Sequence, residues 1–180
     1  MLAHLVFLDE SGFSLTPTVK RTWAPRGQTP YLYHLFNRDK LSVISVLTVS
    51  PRRHHLGLYL QLSAQTLNGL DVRAFLRALL GQLRGAVVLV WDRGTIHKRR
   101  EVTRYLATHP RLHPYAFPAY APELNPAEHI WNQADAHLAN GAPRNLGQLR
   151  GRLRHAIRRL RGSQHLLRAC IHASKLPWTR

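Results

Sequence analysis

The sequence has few acidic residues, a single cysteine and no long apolar run. Its 180 residues include 9 Asp and Glu against 26 Lys and Arg, which gives a formal net charge of +17. The lone Cys170 excludes an internal disulfide, and its apolar neighbours predict that it is buried. The absence of a run of 18 apolar residues argues against a membrane-spanning helix. Asp9 and Glu10 near the N-terminus, with no basic start, do not resemble a signal peptide, so we expect a cytoplasmic protein.

Several common catalytic motifs are also absent. The chain has no glycine-rich phosphate loop, no serine in a nucleophile elbow and no Cys/His pair. Its 12 His residues show neither an HExxH motif nor a spacing with cysteine, which favours scattered polar histidines over a zinc site. The excess of positive charge favours a polyanionic partner, and nucleic acid is the natural candidate.

The apolar periodicity predicts one α/β domain. An antiparallel start followed by β-α-β crossovers predicts a mixed sheet, antiparallel in its first strands and then parallel, with helices on its faces. Asn68–Gly69 predicts a turn, and Asp71 is the expected cap of the helix that follows. Strands are predicted at 5–8, 40–49, 57–62, 87–91 and 112–117, a short strand or hairpin at 22–24, and helices after 71, over 97–107, from 125 and over 145–161.

Acidic side chains follow two of the predicted buried strands. Asp9 ends the run Leu5–Leu8, and Asp92 ends the run Val87–Trp91. Ligands of open α/β sheets bind at the carboxyl ends of the strands, so neighbouring strands would let the two carboxylates share a metal. A third carboxylate would complete a site for two Mg²⁺ or Mn²⁺ ions, which catalyse phosphoryl transfer. The alternative for each Asp is a strand-end turn or a helix cap.

The third carboxylate is undecided on spacing alone. Glu128 follows Asp92 by 36 positions, but Asn125, Pro126 and Glu128 also fit a helix N-terminus with a capping box that needs no metal. Glu123 is the reserve candidate. Glu10 is not chosen as a ligand, because neighbouring residues of a strand point to opposite faces.

The C-terminal region, about 144–180, is basic and predicted to be helical. Between Ala136 and the C-terminus there is no acidic residue. Its arginines either contact the DNA backbone or form an ordinary solvated helix face, and the sequence does not distinguish these two roles. Core packing is the expected role of Trp23, Trp91 and Trp131. The arginines that recur at helical spacing are Arg150, Arg154, Arg158 and Arg161.

Four segments together resemble the DDE transposases and endonucleases of mariner-related bacterial insertion sequences, the IS-six-thirty group. The resemblance extends from about residue 5 to about residue 160 and preserves the order of the motifs. The segments are Phe7–Phe13, Arg21–Pro30, Trp91–His97 and Tyr120–Trp131.

The resemblance implies a ribonuclease H-like fold and a catalytic triad of Asp9, Asp92 and Glu128. It favours Glu128 over Glu123, because the family places its catalytic Glu after Asn-Pro-x. The implied reaction is cleavage of DNA at the element ends and strand transfer, with two divalent ions, Mg²⁺ or Mn²⁺. Arg93 stands where many members have Asn, and we predict that Arg93 and His97 contact DNA.

Relatives also carry a helix-turn-helix domain that recognises the element ends, and no such domain precedes Asp9. We therefore expect a catalytic half of one domain, residues 1–180, whose helix-turn-helix half is encoded in another frame. The expected partners are double-stranded DNA at the element ends and target, and a second copy in a homodimer, in the bacterial nucleoid. The alternatives are an inactive DNA-binding remnant or regulator of transposition, and a ribonuclease H-like or junction-resolving nuclease.

Overall fold

A computed structural model of the protein describes residues 2–34 and 38–178. They form one five-stranded sheet with helices on both faces. The strands are β1 (Ala3–Ser14), β2 (Lys40–Val49), β3 (Leu56–Ser63), β4 (Ala86–Trp91) and β5 (Leu112–Ala116). The helices are α1 (Gly69–Gln82), α2 (Arg100–Ala107), α3 (Pro126–Leu138), α4 (Leu146–Arg161) and α5 (Gln164–Ala173), and Thr95–Lys98 and Pro122–Leu124 form short 3-10 helices.

The sheet has the strand order β3-β2-β1-β4-β5, with β1 at its centre. Strands β1, β2 and β3 pair antiparallel, whereas β4 pairs parallel with both β1 and β5. The prediction of a mixed sheet that is antiparallel first and then parallel is therefore confirmed. No described helix has both the length and the apolar character needed to cross a bilayer.

The sheet separates two apolar cores. Phe7 packs on the side of α3, α4 and α5, whereas Val6 and Leu8 pack on the side of α1 and α2. Because the side chains of a strand alternate, Asp9 lies on the α3 side and Glu10 on the α1 side. The predicted separation of these two carboxylates is confirmed by their neighbours, which are Trp131 for Asp9 and His97 for Glu10.

The start of α1 differs from its prediction. Asn68 is the N-cap residue, and its side chain accepts hydrogen bonds from the backbone N–H groups of Leu70 and Asp71. Asp71 lies at the third helical position and accepts the N–H of Asn68, which completes a capping box. The predicted turn at Asn68–Gly69 is thus the first turn of the helix, and Asp71 supports the cap instead of providing it.

Two further predictions are corrected. The segment 97–107 is divided between the 3-10 helix Thr95–Lys98 and α2, so it is not one continuous helix. Residues 22–24 form neither a strand nor a hairpin, and Trp23 is fully exposed instead of packing in the core. Trp91 and Trp131 are buried as predicted.

The C-terminal helices pack on the α3 side of the sheet. Asn145 caps α4 by accepting the N–H of Gln148, close to the predicted start at 145. Helix α4 buries one apolar stripe, and Cys170 in α5 is buried as predicted. The buried stripe consists of Leu149, Leu153, Ile157 and Leu160.

Candidate active site

Asp9 and Asp92 come level with each other at one edge of the sheet. In the parallel pair of β1 and β4, Phe7 is the partner of Val90, and two residues further along each strand are Asp9 and Asp92. Asp9 is only 7% exposed, whereas the side chain of Asp92, just past the end of β4, is 59% exposed. Asp9 does not end its strand as predicted, because β1 continues to Ser14 and Asp9 pairs with Ser45 of β2. The sheet register therefore brings a buried carboxylate inside β1 level with an accessible one at the carboxyl end of β4.

Glu128 reaches the same edge from the first turn of α3. Asn125 caps this helix by accepting the N–H of Ala127, and its side-chain amide donates to the carbonyl of Leu8, directly before Asp9. The backbone N–H of Asn125 donates to the carbonyl of Pro122, so the predicted capping box with Glu128 does not form. The Asn125 cap thus ties α3 to β1 and leaves the Glu128 carboxylate out of the cap.

One cavity collects all three carboxylates. Its volume is about 370 Å³, within the range of small-ligand sites. Glu123 does not line it; this residue lies exposed in the 3-10 helix Pro122–Leu124, and its carbonyl accepts the N–H of Lys175. The cavity is lined by Asp9, Asp92, Arg93, Gly94, Phe117, Pro118, Ala119, Tyr120, Ala121, Pro122, Asn125 and Glu128.

Burial and neighbouring acids make ionisation of Asp9 costly. Burial is the largest cause, followed by the charge of Glu128, and together they raise the pKa of Asp9 to about 8. The indole N–H of Trp131 acts in the opposite direction by donating to Asp9 Oδ2 at 2.8 Å. Burial likewise raises the pKa of Glu128, against the lowering influence of His129.

No lysine or arginine among the described residues neutralises these carboxylates, and the basic side chain beside Asp92 is His97. Within residues 2–34 and 38–178, no Lys or Arg forms an ion pair with Asp9, Asp92 or Glu128, although the chain has 26 Lys and Arg. Buried charges are normally paired or coordinate a metal. Three oxygen donors around a cavity suit hard divalent cations such as Mg²⁺ and Mn²⁺. The residues present therefore fit a divalent cation.

A histidine lies directly behind this site. His97 is 5% exposed, its Nε2 lies 3.0 Å from Asp92 Oδ1 and 3.5 Å from Glu10 Oε2, and its ring stacks on Trp91. The predicted contact of His97 with DNA does not suit a ring so enclosed by protein. The burial of His97 depends on the turn after β4. In the sequence, the only indication of a role for His97 was its presence in the Trp91–His97 motif. Glu10, not selected from the sequence, is thereby linked to Asp92.

The arginines predicted to contact DNA lie in two places. Arg93 lines the cavity, and its Nε donates to the carbonyl of Phe117 at 3.1 Å. On α4, Arg154 and Arg158 are exposed and Arg150 is half-buried, whereas Arg161 also donates to the carbonyl of Leu58 on β3. The arginines of α4 therefore form a row that faces solvent, and Arg161 fixes one end of this row to the sheet.

A mixed sheet with one carboxylate inside its central strand and another at the end of the neighbouring strand suits a metal-dependent phosphoryl-transfer enzyme. The sequence profile described as "DDE superfamily endonuclease" matches residues 4–150, and the chain belongs to this family. A search among curated proteins finds none that matches this chain.

Solved structures with a similar fold include complexes of a mariner transposase. The Mos1 transposase paired-end complex with left transposon end has a TM-score of 0.59 and 18% identity, covering 97% of this chain and 56% of that one. The Mos1 Strand Transfer Complex gives the same TM-score with 20% identity, covering 98% and 56%. The catalytic domain of Mos1 alone gives a TM-score of 0.53 with 14% identity, covering 96% and 83%. The chain thus has the ribonuclease H-like fold of transposase catalytic domains and spans about half of the longer Mos1 chains.

Proposed function

We propose that this chain is the catalytic domain of a bacterial insertion-sequence transposase that cuts DNA at the element ends and joins the exposed 3′-hydroxyl to target DNA. The observation that carries the proposal is the convergence of Asp9, Asp92 and Glu128 on one cavity, with no Lys or Arg paired to them among the described residues. Membership of the DDE superfamily endonucleases supports DNA cleavage as the reaction class.

Asp9, Asp92 and Glu128 would hold two divalent cations. When bound, such ions activate an attacking water or hydroxyl and stabilise the leaving oxygen in phosphoryl transfer. The protein contributes the placement of the ligands: Asp9 through β1 and Trp131, Asp92 through the end of β4, and Glu128 through the first turn of α3.

The DNA would approach across a basic surface. Phosphate contacts would come from Arg93, which lines the cavity, and from the row of arginines on α4. In that row Arg154 and Arg158 are exposed, and Arg150 and Arg161 lie at its two ends. We include the whole chain, residues 1–180, in one catalytic domain. A helix-turn-helix half encoded in another frame would supply recognition of the element ends, and two copies would pair the ends within the bacterial nucleoid.

Cleavage of end-bearing DNA tests the proposal. The purified chain, with its helix-turn-helix half supplied, is incubated with Mn²⁺ or Mg²⁺ and DNA that carries the inverted repeats flanking its coding region. We expect nicking and joining, their loss in Asp92→Asn, and their retention in Glu123→Gln, which changes an acid outside the cavity.

The same assay separates the alternatives. DNA binding that is unchanged by metal and by Asp9→Ala, with no cleavage, would identify a DNA-binding remnant or regulator. Cleavage of an RNA–DNA hybrid or a four-way junction lacking the repeats would identify a ribonuclease H-like or junction-resolving nuclease.

A further inference from the structure

His97 is held in one orientation beside the second carboxylate of the site. Its ring stacks on Trp91 with centroids 4.2 Å apart and an interplanar angle of 18°. Both side chains are buried, at 5% and 6% exposure. Since Trp91 is the last residue of β4, the sheet itself fixes the plane of the imidazole next to Asp92.

The surroundings of the ring determine which nitrogen carries the hydrogen. Nδ1 is buried and has no hydrogen-bond partner among the described residues, whereas Nε2 lies near Asp92 Oδ1 and Glu10 Oε2. A hydrogen on Nδ1 would be a buried donor without an acceptor, which costs about 1–3 kcal/mol. The Nε2–H is therefore present and faces the two carboxylates. It is aligned with neither oxygen, as is common for active-site contacts before the substrate binds.

Asp92 needs such a contact because it is the accessible member of the triad. Its Oδ1 accepts the N–H of Gly94 at 2.8 Å and lies 3.0 Å from His97 Nε2. Its Oδ2 has no hydrogen bond within the described residues. The Gly94 hydrogen bond thus holds Oδ1 on the side of His97 Nε2 and leaves the other oxygen for a ligand in the cavity.

We propose that His97 is a positioning residue that orients the Asp92 carboxylate toward the metal, with Glu10 placed near the same Nε2 from the α1 side of the sheet. This inference rests on the proposed function, since it assigns Asp92 a metal. The ligand atoms of Glu10, Asp92 and His97 lie within 4.8 Å of one another, so direct metal binding by His97 is the competing role. It is less favoured because a metal-bound imidazole almost always donates its second N–H to a partner, and Nδ1 of His97 has none among the described residues.

The test compares substitutions that retain different nitrogens. In His97→Gln the amide nitrogen takes roughly the place of Nε2, whereas in His97→Asn it takes roughly that of Nδ1. We expect His97→Asn to weaken Mn²⁺ binding and lower kcat about 10- to 100-fold with KM for DNA unchanged, and His97→Gln to restore most of both. His109→Gln is the matched control, because His109 also stacks on an aromatic ring, that of Tyr105, but contacts no carboxylate.

Gly94→Ala provides a second variant that leaves the imidazole in place. A Cβ on Gly94 would lie 2.8 Å from Asp92 Oδ1, so the carboxylate must move and Mn²⁺ binding should weaken as in His97→Asn. Electron paramagnetic resonance of Mn²⁺ gives this readout without any DNA, so a failure of the proposed transposase reaction would be seen separately. Equal Mn²⁺ affinity in wild type and His97→Asn would overturn the inference. Loss of one bound ion in both the Gln and Asn variants would also overturn it, by making His97 a ligand.

Discussion

Trp131 donates its indole N–H to Oδ2 of Asp9 across 2.8 Å, and both side chains are almost fully buried. The bond joins the helix that carries Glu128 to the strand that carries Asp9. Trp131 follows Glu128 by one helical turn, so one face of α3 presents both an acid and the donor that orients another acid. The relative position of the two carboxylates is thus supported by this hydrogen bond together with the one from Asn125 to the carbonyl of Leu8.

Trp131→Phe removes that donor and retains an aromatic ring to pack against Phe13. We expect cleavage to fall at least about 10-fold, because partners of metal ligands typically contribute that much. The free energy of unfolding should fall by about 1–3 kcal/mol through loss of packing and of the bond. Trp178→Phe, which changes a ring beneath Arg53 outside the cavity, is the control. Equal cleavage by both variants would show that the bond does not position Asp9.

The stability of the metal-free protein should fall as the pH rises. The pKa of Asp9 is about 8 in the folded protein and about 3.9 in an unfolded chain, so between these values only the folded state keeps the proton. The side chain of the Asp9→Asn variant has no carboxyl proton to release, and its amide oxygen can still accept the N–H of Trp131. In urea unfolding with a chelator, the variant should gain about 2–4 kcal/mol over wild type near pH 8 and little near pH 4. A difference that is independent of pH would contradict the raised pKa.

Mn²⁺ should stabilise the folded protein through Glu128 and not through Glu123. A ligand that binds only the folded state raises stability by RT ln(1 + [L]/Kd). Glu128→Gln should therefore lose most of the rise in melting temperature caused by Mn²⁺, while Glu123→Gln keeps it. These two substitutions make the same chemical change five residues apart on either side of the Asn125 cap. The reverse result would make the reserve candidate the ligand.

Tyr120 should contact the DNA next to the cut. Its side chain is fully exposed at the cavity, and its backbone has a φ of 57°, uncommon for a non-glycine residue. Stacking of a base on an aromatic ring contributes about 1–3 kcal/mol. Tyr120→Ala should weaken binding of single-stranded DNA at the element end by a matching amount, and Tyr120→Phe should not, as fluorescence anisotropy can measure. Similar weakening in both would indicate that the hydroxyl, not the ring, makes the contact.

The α4 arginines should bind DNA by charge alone. Replacing Arg154 and Arg158 with alanine should weaken binding equally for specific and unrelated DNA. The slope of log affinity against log salt should become shallower by about 0.9 for each phosphate that the variant no longer neutralises. The lysine versions, which keep the charge, should retain most of the slope. An unchanged slope in the alanine variant would mean that this row is a solvated face.

The strands and the strand-end position of Asp92 were predictable because they depend on local pattern, whereas the predicted end of a strand at Asp9 was wrong because β1 continues to Ser14. An uninterrupted apolar run such as Val87–Trp91 is typical of a central strand, and the residue that follows it must leave the sheet at its carboxyl end. The level arrangement of Asp9 and Asp92 required the register as well. That register is set by packing of the two cores, which no single run of residues reveals.

The remaining site features depend on contacts between distant segments. The role of Glu128 was undecided because its position fits both a capping box and a metal ligand. The structure distinguishes the two roles, because the N–H of Asn125 donates to Pro122 and not to Glu128. His97 was predicted to contact DNA, and its burial could not be predicted because its stacking on Trp91 is set by the turn after β4. Trp23 was expected in the core on residue type alone, and its full exposure shows that apolar character does not by itself provide a packing partner.

The central place of β1 has a consequence for the dynamics of the site. Residues Leu5–Phe7, which are separated from Asp9 only by Leu8, are hydrogen-bonded to β2 on one side and β4 on the other. Their amides should exchange with solvent deuterium only when the whole domain unfolds, whereas those of the surface segment 19–34 should exchange at once. Asp9 is thus fixed to the part of the molecule that opens most slowly. Any movement that adjusts the site to a substrate should therefore occur at the accessible Asp92 and in the first turn of α3.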